Sequence, residues 1–276
     1  MRLREWWGDL REDMGFAART MTKSPGFTAA VVLTLALGIG ASSSMFTVVN
    51  SVLLRPIGFS DPERLAILWE VTPDGDLNNS ISPANFFDWR EQSRTFDALA
   101  AWADGERILT GDGEPEALLT RLTTGDYFAV LGAKALIGRT YTEAEELENV
   151  TVLSHRFWKR RFGGDPGIVD RTITLNDRLV TVIGVMPPDL PSIREKPDLW
   201  APTQLDPEWR GRFLRVVGRL EPGATLEQAR TEMATIGRRL AEAYPEFNKG
   251  WGVSVSSLQD AVSGEVRPAL LVLLGA

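Results

Sequence analysis

Cysteine is absent from the chain, and histidine occurs once, as His155. Without thiols there is no disulfide framework, no thiolate nucleophile and no zinc–thiolate centre. One imidazole cannot make a multi-histidine metal motif, which needs further ligands at fixed spacing. His155 sits among cations in Ser154-His155-Arg156-Phe157-Trp158-Lys159-Arg160-Arg161-Phe162, and no serine stands in a nucleophile elbow. It reads as an ordinary residue near a helix N-terminus. No G-x-x-x-x-G-K-[ST] occurs, so the chain has no P-loop for ATP, and Gly38 and Gly40 lack a third glycine at dinucleotide spacing. A basic surplus is also missing: 30 Lys and Arg stand against 37 Asp and Glu, a net charge of −7. Residues 1–23 hold five basic and four acidic side chains, which leaves the rest at −8. Nucleic acid requires a cationic footprint and is excluded as a partner. No internal period of 20–50 residues is present, so solenoids are excluded.

Charge itself is missing from one long stretch. Between Lys23 and Arg55 lie 31 consecutive uncharged residues, mostly apolar from Phe27 to Leu54. A bilayer core takes roughly 20 apolar residues as a helix, so 25–54 is read as a transmembrane helix. No polar stripe interrupts it before Ser42. Arg4, Arg11, Arg19 and Lys23 flank it on one side, Arg55 and Arg64 on the other, which directs the N-terminus to the cytoplasm. A cleaved leader is the alternative, but the apolar run is about twice the usual length and the preceding segment is acid-rich. Within the span, Ala36, Gly40 and Ser44 recur every four residues, the spacing at which helix backbones approach closely. Before it, residues 1–24 form an amphipathic helix with Trp6 and Trp7 as interfacial anchors in membrane lipid; packing on a partner protein is the other reading. The closing stretch 266–276 is apolar after Arg267 and too short to cross, so it is read as the truncated start of a second span.

The remainder mixes strands and helices. Strands are expected at 64–70, 117–123, 150–153, 213–220 and 253–258. Ile173 and Leu175 alternate with threonines, and Asn176-Asp177 turns the chain into 180–186 as a hairpin. Ser82-Pro83 opens a helix to Gln92. A short helix over 125–131 stops at Gly132, and Ser154 caps a basic helix that Gly163-Gly164 ends. The clearest helix runs 226–244. Thr225 and Gln228 match a capping box, Leu226, Ala229, Met233, Ile236, Leu240 and Ala243 form its stripe, and Pro245 stops it. Carboxylates at Glu143, Glu145, Glu146 and Glu148 read as a solvated loop, and Asp88-Trp89-Arg90-Glu91 as helix surface. Arg156, Lys159, Arg160 and Arg161 are expected to face water while Phe157, Trp158 and Phe162 pack inward. No catalytic, cofactor-binding or metal constellation emerges.

The runs Ser24-Pro25-Gly26-Phe27-Thr28, Leu33–Ala41 (LTLALGIGA), Val49–Pro56 (VNSVLLRP), Ser82–Arg90 (SPANFFDWR), Phe162–Pro166 (FGGDP), Val182–Pro187 (VIGVMP) and Arg219–Leu226 (RLEPGATL) together resemble MacB/FtsX-type ABC transporter permeases. The likeness is nearest to the duplicated orphan permease subgroup and covers nearly the whole chain in order. It implies an α+β ectodomain anchored by an N-terminal transmembrane helix. Porter-like α/β subdomains would occupy 55–137 and 211–265, with a sabre-like insert at 138–210, so that 55–265 is a periplasmic core domain. It further implies an inner-membrane permease coupled to a separate cytoplasmic ABC ATPase that binds ATP, paired with a second permease half or as a homodimer. Such a permease works by mechanotransmission, for export, towards a periplasmic partner. A membrane-anchored binding or sensor module without transport is the rival, and a secreted enzyme the second.

Overall fold

The computed structural model describes residues 23, 25–49, 59–111 and 113–263. The amphipathic stretch with Trp6 and Trp7, residues 50–54 of the expected span and the apolar end at 266–276 lie outside those residues. The chain divides into two units, one holding the helix Pro25–Val49 and the other Pro56–Glu265.

Helix α1, Pro25–Val49, has 25 residues and no charge, a length of about 37 Å at 1.5 Å per residue. Leu33, Leu35, Leu37 and Ile39 are exposed on it. The hydroxyl of Thr34 donates to the Ala30 carbonyl at 2.8 Å, which satisfies it inside the helix. Ala36 and Gly40 are exposed, and a Cβ at Gly40 would meet nothing within 4 Å. Ser44 lies on the same helix. Among the described residues no helix is long and apolar enough to cross a membrane.

The second unit begins with a 3₁₀ turn, Pro62–Arg64, and β1, Leu65–Val71. Then come α2 (Pro83–Gln92), β2 (Phe96–Thr110), β3 (Glu116–Thr123), α3 (Tyr127–Leu131) and β4 (Ile137–Gly138). They are followed by β5 (Val150–Leu153), α4 (His155–Phe162), β6 (Thr172–Leu175), β7 (Arg178–Val185) and β8 (Leu199–Pro202). Last are β9 (Arg215–Leu220), α5 (Leu226–Ala243), α6 (Pro245–Asn248), β10 (Gly252–Ser257) and α7 (Leu258–Ser263). The result is the mixed α+β architecture that the sequence implied.

One sheet runs through the unit in the order β10-β1-β9-β2-β3-β8-β5-β7-β4, with β6 joining β2 to β7. At the β10 end both faces are buried. Leu65, Ile67 and Trp69 of β1 point to one face, which Tyr127, Phe128, Val130 and Leu131 of α3 cover. Ala66 and Leu68 point to the other, under Phe86 and Trp89 of α2 and Ala229, Met233, Ile236 and Leu240 of α5. Burial on both faces makes these strands near-continuous apolar runs rather than alternating ones.

At the other end the sheet closes on itself. β2 pairs with β3 along one edge and, at Leu109 and Thr110, with β6 along the other. The ring β2-β3-β8-β5-β7-β6 returns to β2, with β3–β8 and β5–β7 parallel and the other pairs antiparallel. The turn of the β6–β7 hairpin makes the closure. Asn176 and Asp177 have φ of 47° and 61°, the two positive values of a type I′ turn. Asn176 then accepts from the Ile108 amide at 2.7 Å through its side chain, and its amide donates to the Ile108 carbonyl at 2.9 Å. Leu109, Leu118, Leu153, Phe157, Ile173, Leu175, Val182 and Leu199 make the ring's own core.

The expected caps form. Ser82 accepts from the Asn85 amide, Ser154 from the Phe157 amide, and Thr225 and Gln228 complete their reciprocal box. The β2 strand is new. Its four alanines and Gly105 carry no strand signal, and pairing with β9, β3 and β6 on its two edges decides its conformation.

Helix α5 is fastened to the segment before β2 by Glu232. Its carboxylate accepts from the Ser93 hydroxyl, the Arg94 amide and the Thr95 amide, each at 2.9 Å, and from the Thr95 hydroxyl. Burial alone would raise the pKa of Glu232, but the hydrogen bonds from Thr95, Arg94 and Ser93 outweigh it and hold the group below the ordinary carboxylate value. A depressed folded pKa gives stability that is present above the unfolded value and is lost as pH falls through the folded one. Glu232→Ala is therefore expected to cost about 1–2 kcal/mol near neutral pH. In denaturant titrations the difference from wild type should shrink progressively below the ordinary carboxylate range; a difference independent of pH would contradict this role.

Candidate functional site

Among the described residues no group of three or more acidic or histidine side chains is placed to hold a metal ion. His155 is half-buried at the start of α4, and its ring meets Trp158 edge-on at 5.4 Å. The acidic stretch is tied down rather than free. Glu145 caps Thr142 and pairs with Arg139 at 2.7 Å, Glu143 pairs with Arg90 at 3.1 Å, and Glu146 accepts from the Gly125 amide at 2.8 Å. Arg90 thus serves Glu143 rather than an acid–base pair with its neighbours. Phe157 and Trp158 are buried as expected, but the cations of α4 do not simply face water. Arg156 reaches Asp198 at 3.0 Å, Arg160 pairs with Glu116, and Lys159 lies over the Trp158 ring at 4.8 Å. Trp69, Trp89, Trp102, Trp158 and Trp200 are core residues, whereas Trp209 is 56% exposed.

What the fold does build is a set of polar junctions that lock its segments together. The first lies where the chain comes in. Phe59 and Leu65 share a cluster with Leu258 of α7, and α7 packs beside the 62–64 turn. The incoming strand β1 and the outgoing strand β10 are antiparallel neighbours, from Ala66↔Ser257 to Val71↔Gly252. Arg219 of β9 donates through Nε to the Val130 carbonyl and through Nη2 to the Ser60 carbonyl, both at 2.8 Å. Arg64 donates to the Leu220 carbonyl at 2.9 and 2.6 Å. Ser60 approaches α3 so closely that a Cβ at Gly132, where φ is +63°, would lie 2.6 Å from the Ser60 Cβ. Burial first, then the nearby Arg64 charge, lowers the pKa of Arg219. Its charge is held by the carbonyls and by Asp61 at 3.7 Å.

The second junction is central. Arg121 of β3 is 1% exposed. It forms a two-pronged pair with Asp104 of β2 at 2.7 and 3.1 Å, and Asp104 also receives Arg215 of β9 at 3.1 Å. The same Nη2 donates to the carbonyls of Ile193 and Glu195 at 3.1 and 3.2 Å. The guanidinium lies 5.5 Å from the Trp102 ring centroid. Burial opposes its charge, and Tyr127 and Asp104 more than offset that, so the pKa rises.

The third junction joins four segments. Glu70 of β1 is buried and accepts from Asn85 of α2 at 2.6 Å and from Arg212. Asn85 and Asn248 of α6 exchange side-chain hydrogen bonds at 2.9 and 3.1 Å. Arg212 also donates to the Phe247 carbonyl and the Asn248 side chain, and stacks 3.7 Å from the centroid of Trp251. Burial raises the pKa of Glu70, opposed by Asn85 and Arg212.

None of Glu70, Asp104, Arg121, Arg212, Arg219 and Asn248 was singled out from sequence. One signal existed: Arg121 and Arg219 interrupt apolar strand runs, and a charge inside such a run needs a buried partner.

The family model for the MacB-like periplasmic core domain matches residues 28–236. No curated protein sequence matches significantly. Among solved structures, a domain of a permease protein from Porphyromonas gingivalis aligns with a TM-score of 0.56 at 18% identity, covering 72% of this chain and 91% of that one. The periplasmic region of MacB from Actinobacillus actinomycetemcomitans gives 0.54 at 16%, covering 79% and 98%. The extracellular domain of YknZ, a noncanonic ABC-type transporter from Gram-positive bacteria, gives 0.52 at 14%, covering 69% and 99%. At these identities the structural likeness establishes the fold.

Proposed function

This chain belongs to the family of MacB-like periplasmic core domains, and from that premise we propose that it serves as a permease subunit of an ABC-type transporter. Helix α1 crosses the inner membrane with its N-terminus in the cytoplasm, Trp6 and Trp7 at the interface, and Ala36, Gly40 and Ser44 against another membrane helix. A separate cytoplasmic ATPase binds and hydrolyses ATP, and the 55–265 domain carries the resulting motion outward, in the direction of export, in the manner of the duplicated orphan permeases.

The observation that carries this reading is the arrangement of the incoming and outgoing strands. β1 and β10 are hydrogen-bonded neighbours at the sheet edge, and Arg219 and Arg64 tie the incoming segment to β9 and α3. A displacement delivered at residues 59–64 or 258–263 therefore moves the sheet as one body instead of being absorbed in a loose linker. Coupling of this kind requires two states that nucleotide binds differently.

These 276 residues hold no cysteine, so a single Arg239→Cys adds one spin-label site to them, on the exposed surface of α5. In full-length permease reconstituted with its ATPase, the label-to-label distance between the two permease copies should differ between nucleotide-free and ATP-trapped states. Arg219→Ala should leave ATP hydrolysis running while this distance change is lost. Identical distance distributions in both nucleotide states would sink the transport reading and favour an anchored binding module.

A further inference from the structure

On the α3 side of the sheet, near the β10 edge, β1, β10, α7 and the turn at 192–195 line an open cavity of about 380 Å³, a size that accepts a small organic molecule. Its walls are of two kinds. Val262 is its exposed apolar wall, at 39% exposure, over a floor of Ile67, Ile193 and Trp69 that the protein almost fully buries. Arg194 brings a guanidinium, whose central carbon lies 5.3 Å from the Trp69 ring centroid. Among the described residues no carboxylate pairs with Arg194.

The position of Arg194 is built. Its φ is +64°, a left-handed conformation that costs a residue with a Cβ roughly 1–3 kcal/mol and persists only where surroundings impose it. The surroundings are the carbonyls on either side, Ile193 and Glu195, both held from below by the buried Arg121. The Ser192 hydroxyl, also bonded to the Glu195 carbonyl, closes the turn. A strained backbone fixed by one buried guanidinium thus sets a second guanidinium over a tryptophan at the mouth of a half-apolar cavity. A stacked guanidinium keeps its planar fork of donors available for an anion.

We propose that this cavity binds a small monoanion with an apolar body, the negative group on Arg194 and the body along Ala261 and Val262 above the Trp69 floor. Asp260 lines the same cavity and accepts from the Ser257 hydroxyl at 2.7 Å; its charge opposes any anion there, so Arg194 must outweigh it for one negative charge, and a second would be opposed further.

The test uses the full chain in phosphatidylcholine nanodiscs, titrated calorimetrically with octanoate, octanol, octylamine and octyl phosphate at roughly pH 8, where the phosphate is a dianion. Octanoate should bind about tenfold more tightly than octanol or octylamine, and octyl phosphate no more tightly than octanoate. Arg194→Gln should lower octanoate affinity about tenfold, with Arg194→Lys retaining part of it. Arg194 is exposed, so these variants should keep the wild-type unfolding midpoint. Arg194→Gly should even raise that midpoint by removing the left-handed strain, while losing octanoate. Adding phosphatidylglycerol separates two sources of the ligand. Competition with octanoate assigns the site to lipid, and undiminished octanoate binding assigns it to a free amphiphilic acid. Equal affinity for octanoate and octanol, or unchanged affinity in Arg194→Gln, overturns the proposal.

Discussion

Arg121→Met is expected to lower the unfolding free energy of the 56–265 unit by about 3–5 kcal/mol, a fall in midpoint of roughly 6–20 °C for a unit of this size. The guanidinium is buried and meets Asp104, the Tyr127 hydroxyl at 3.5 Å, two carbonyls of the 192–195 turn and the face of Trp102. Methionine fills similar volume but donates nothing. Asp104 is then left with Arg215 alone, and two carbonyls at Ile193 and Glu195 lose their donor. An uncompensated buried charge is the costly outcome when one partner of an ion pair is removed, far more than the pair itself contributes. Adding Asp104→Asn to Arg121→Met should therefore recover part of the loss, a coupling that a double-mutant cycle measures. A single-variant loss under about 1 kcal/mol would mean that water reaches this position, contrary to its burial.

Arg212→Met is expected to cost about 3 kcal/mol near neutral pH and to deepen the dependence of stability on pH that Glu70 already gives the wild type. In the wild type, burial lifts the pKa of Glu70 while Asn85 and Arg212 pull it back. Removing Arg212 leaves Asn85 alone against burial, so the carboxyl of Glu70 rises further. A carboxyl whose folded pKa exceeds its unfolded one gives stability at acid pH that is lost as pH rises from the unfolded value through the folded value. The deficit of the variant should thus be smallest at acid pH and grow as pH rises, the same sense as for Glu232→Ala but in a higher pH window, because the Glu70 carboxyl titrates above the ordinary carboxylate value and that of Glu232 below it. Combining Arg212→Met with Glu70→Gln should flatten the profile and restore much of the stability, since a neutral amide needs no counter-charge. Urea titrations of the single and double variants across this pH range read the effect directly. A deficit constant with pH would show that Glu70 is not the group left exposed to the loss.

The two variants differ from anything the strand and helix patterns announce. The hairpin at Asn176-Asp177, the Ser82 and Ser154 caps and the Thr225–Gln228 box were legible because each is settled by residues two or three positions apart. β2 was not legible. Four alanines and a glycine give it no local preference for a strand, and its conformation comes from partners on both edges. The basic helix α4 was half legible. Its buried aromatics follow from periodicity, but the carboxylates that receive Arg156 and Arg160 lie 42 and 44 residues away.

The family resemblance, the missing P-loop and the long uncharged run were all plain in the order of residues alone, because they depend on composition and on contiguous motifs. So were most elements of the α+β domain, whose starts and stops obey local capping and turn chemistry. Only the folded arrangement decided that the sheet closes into a ring at one end, and that Arg219 reaches a carbonyl 89 residues away. It alone decided that Arg121 holds a turn 72 residues downstream. The reason is range. A cap or a turn is fixed by neighbours along the chain, whereas a buried charge takes whichever partner long-range closure brings beside it, and closure cost varies too slowly with loop length to single out one partner in advance.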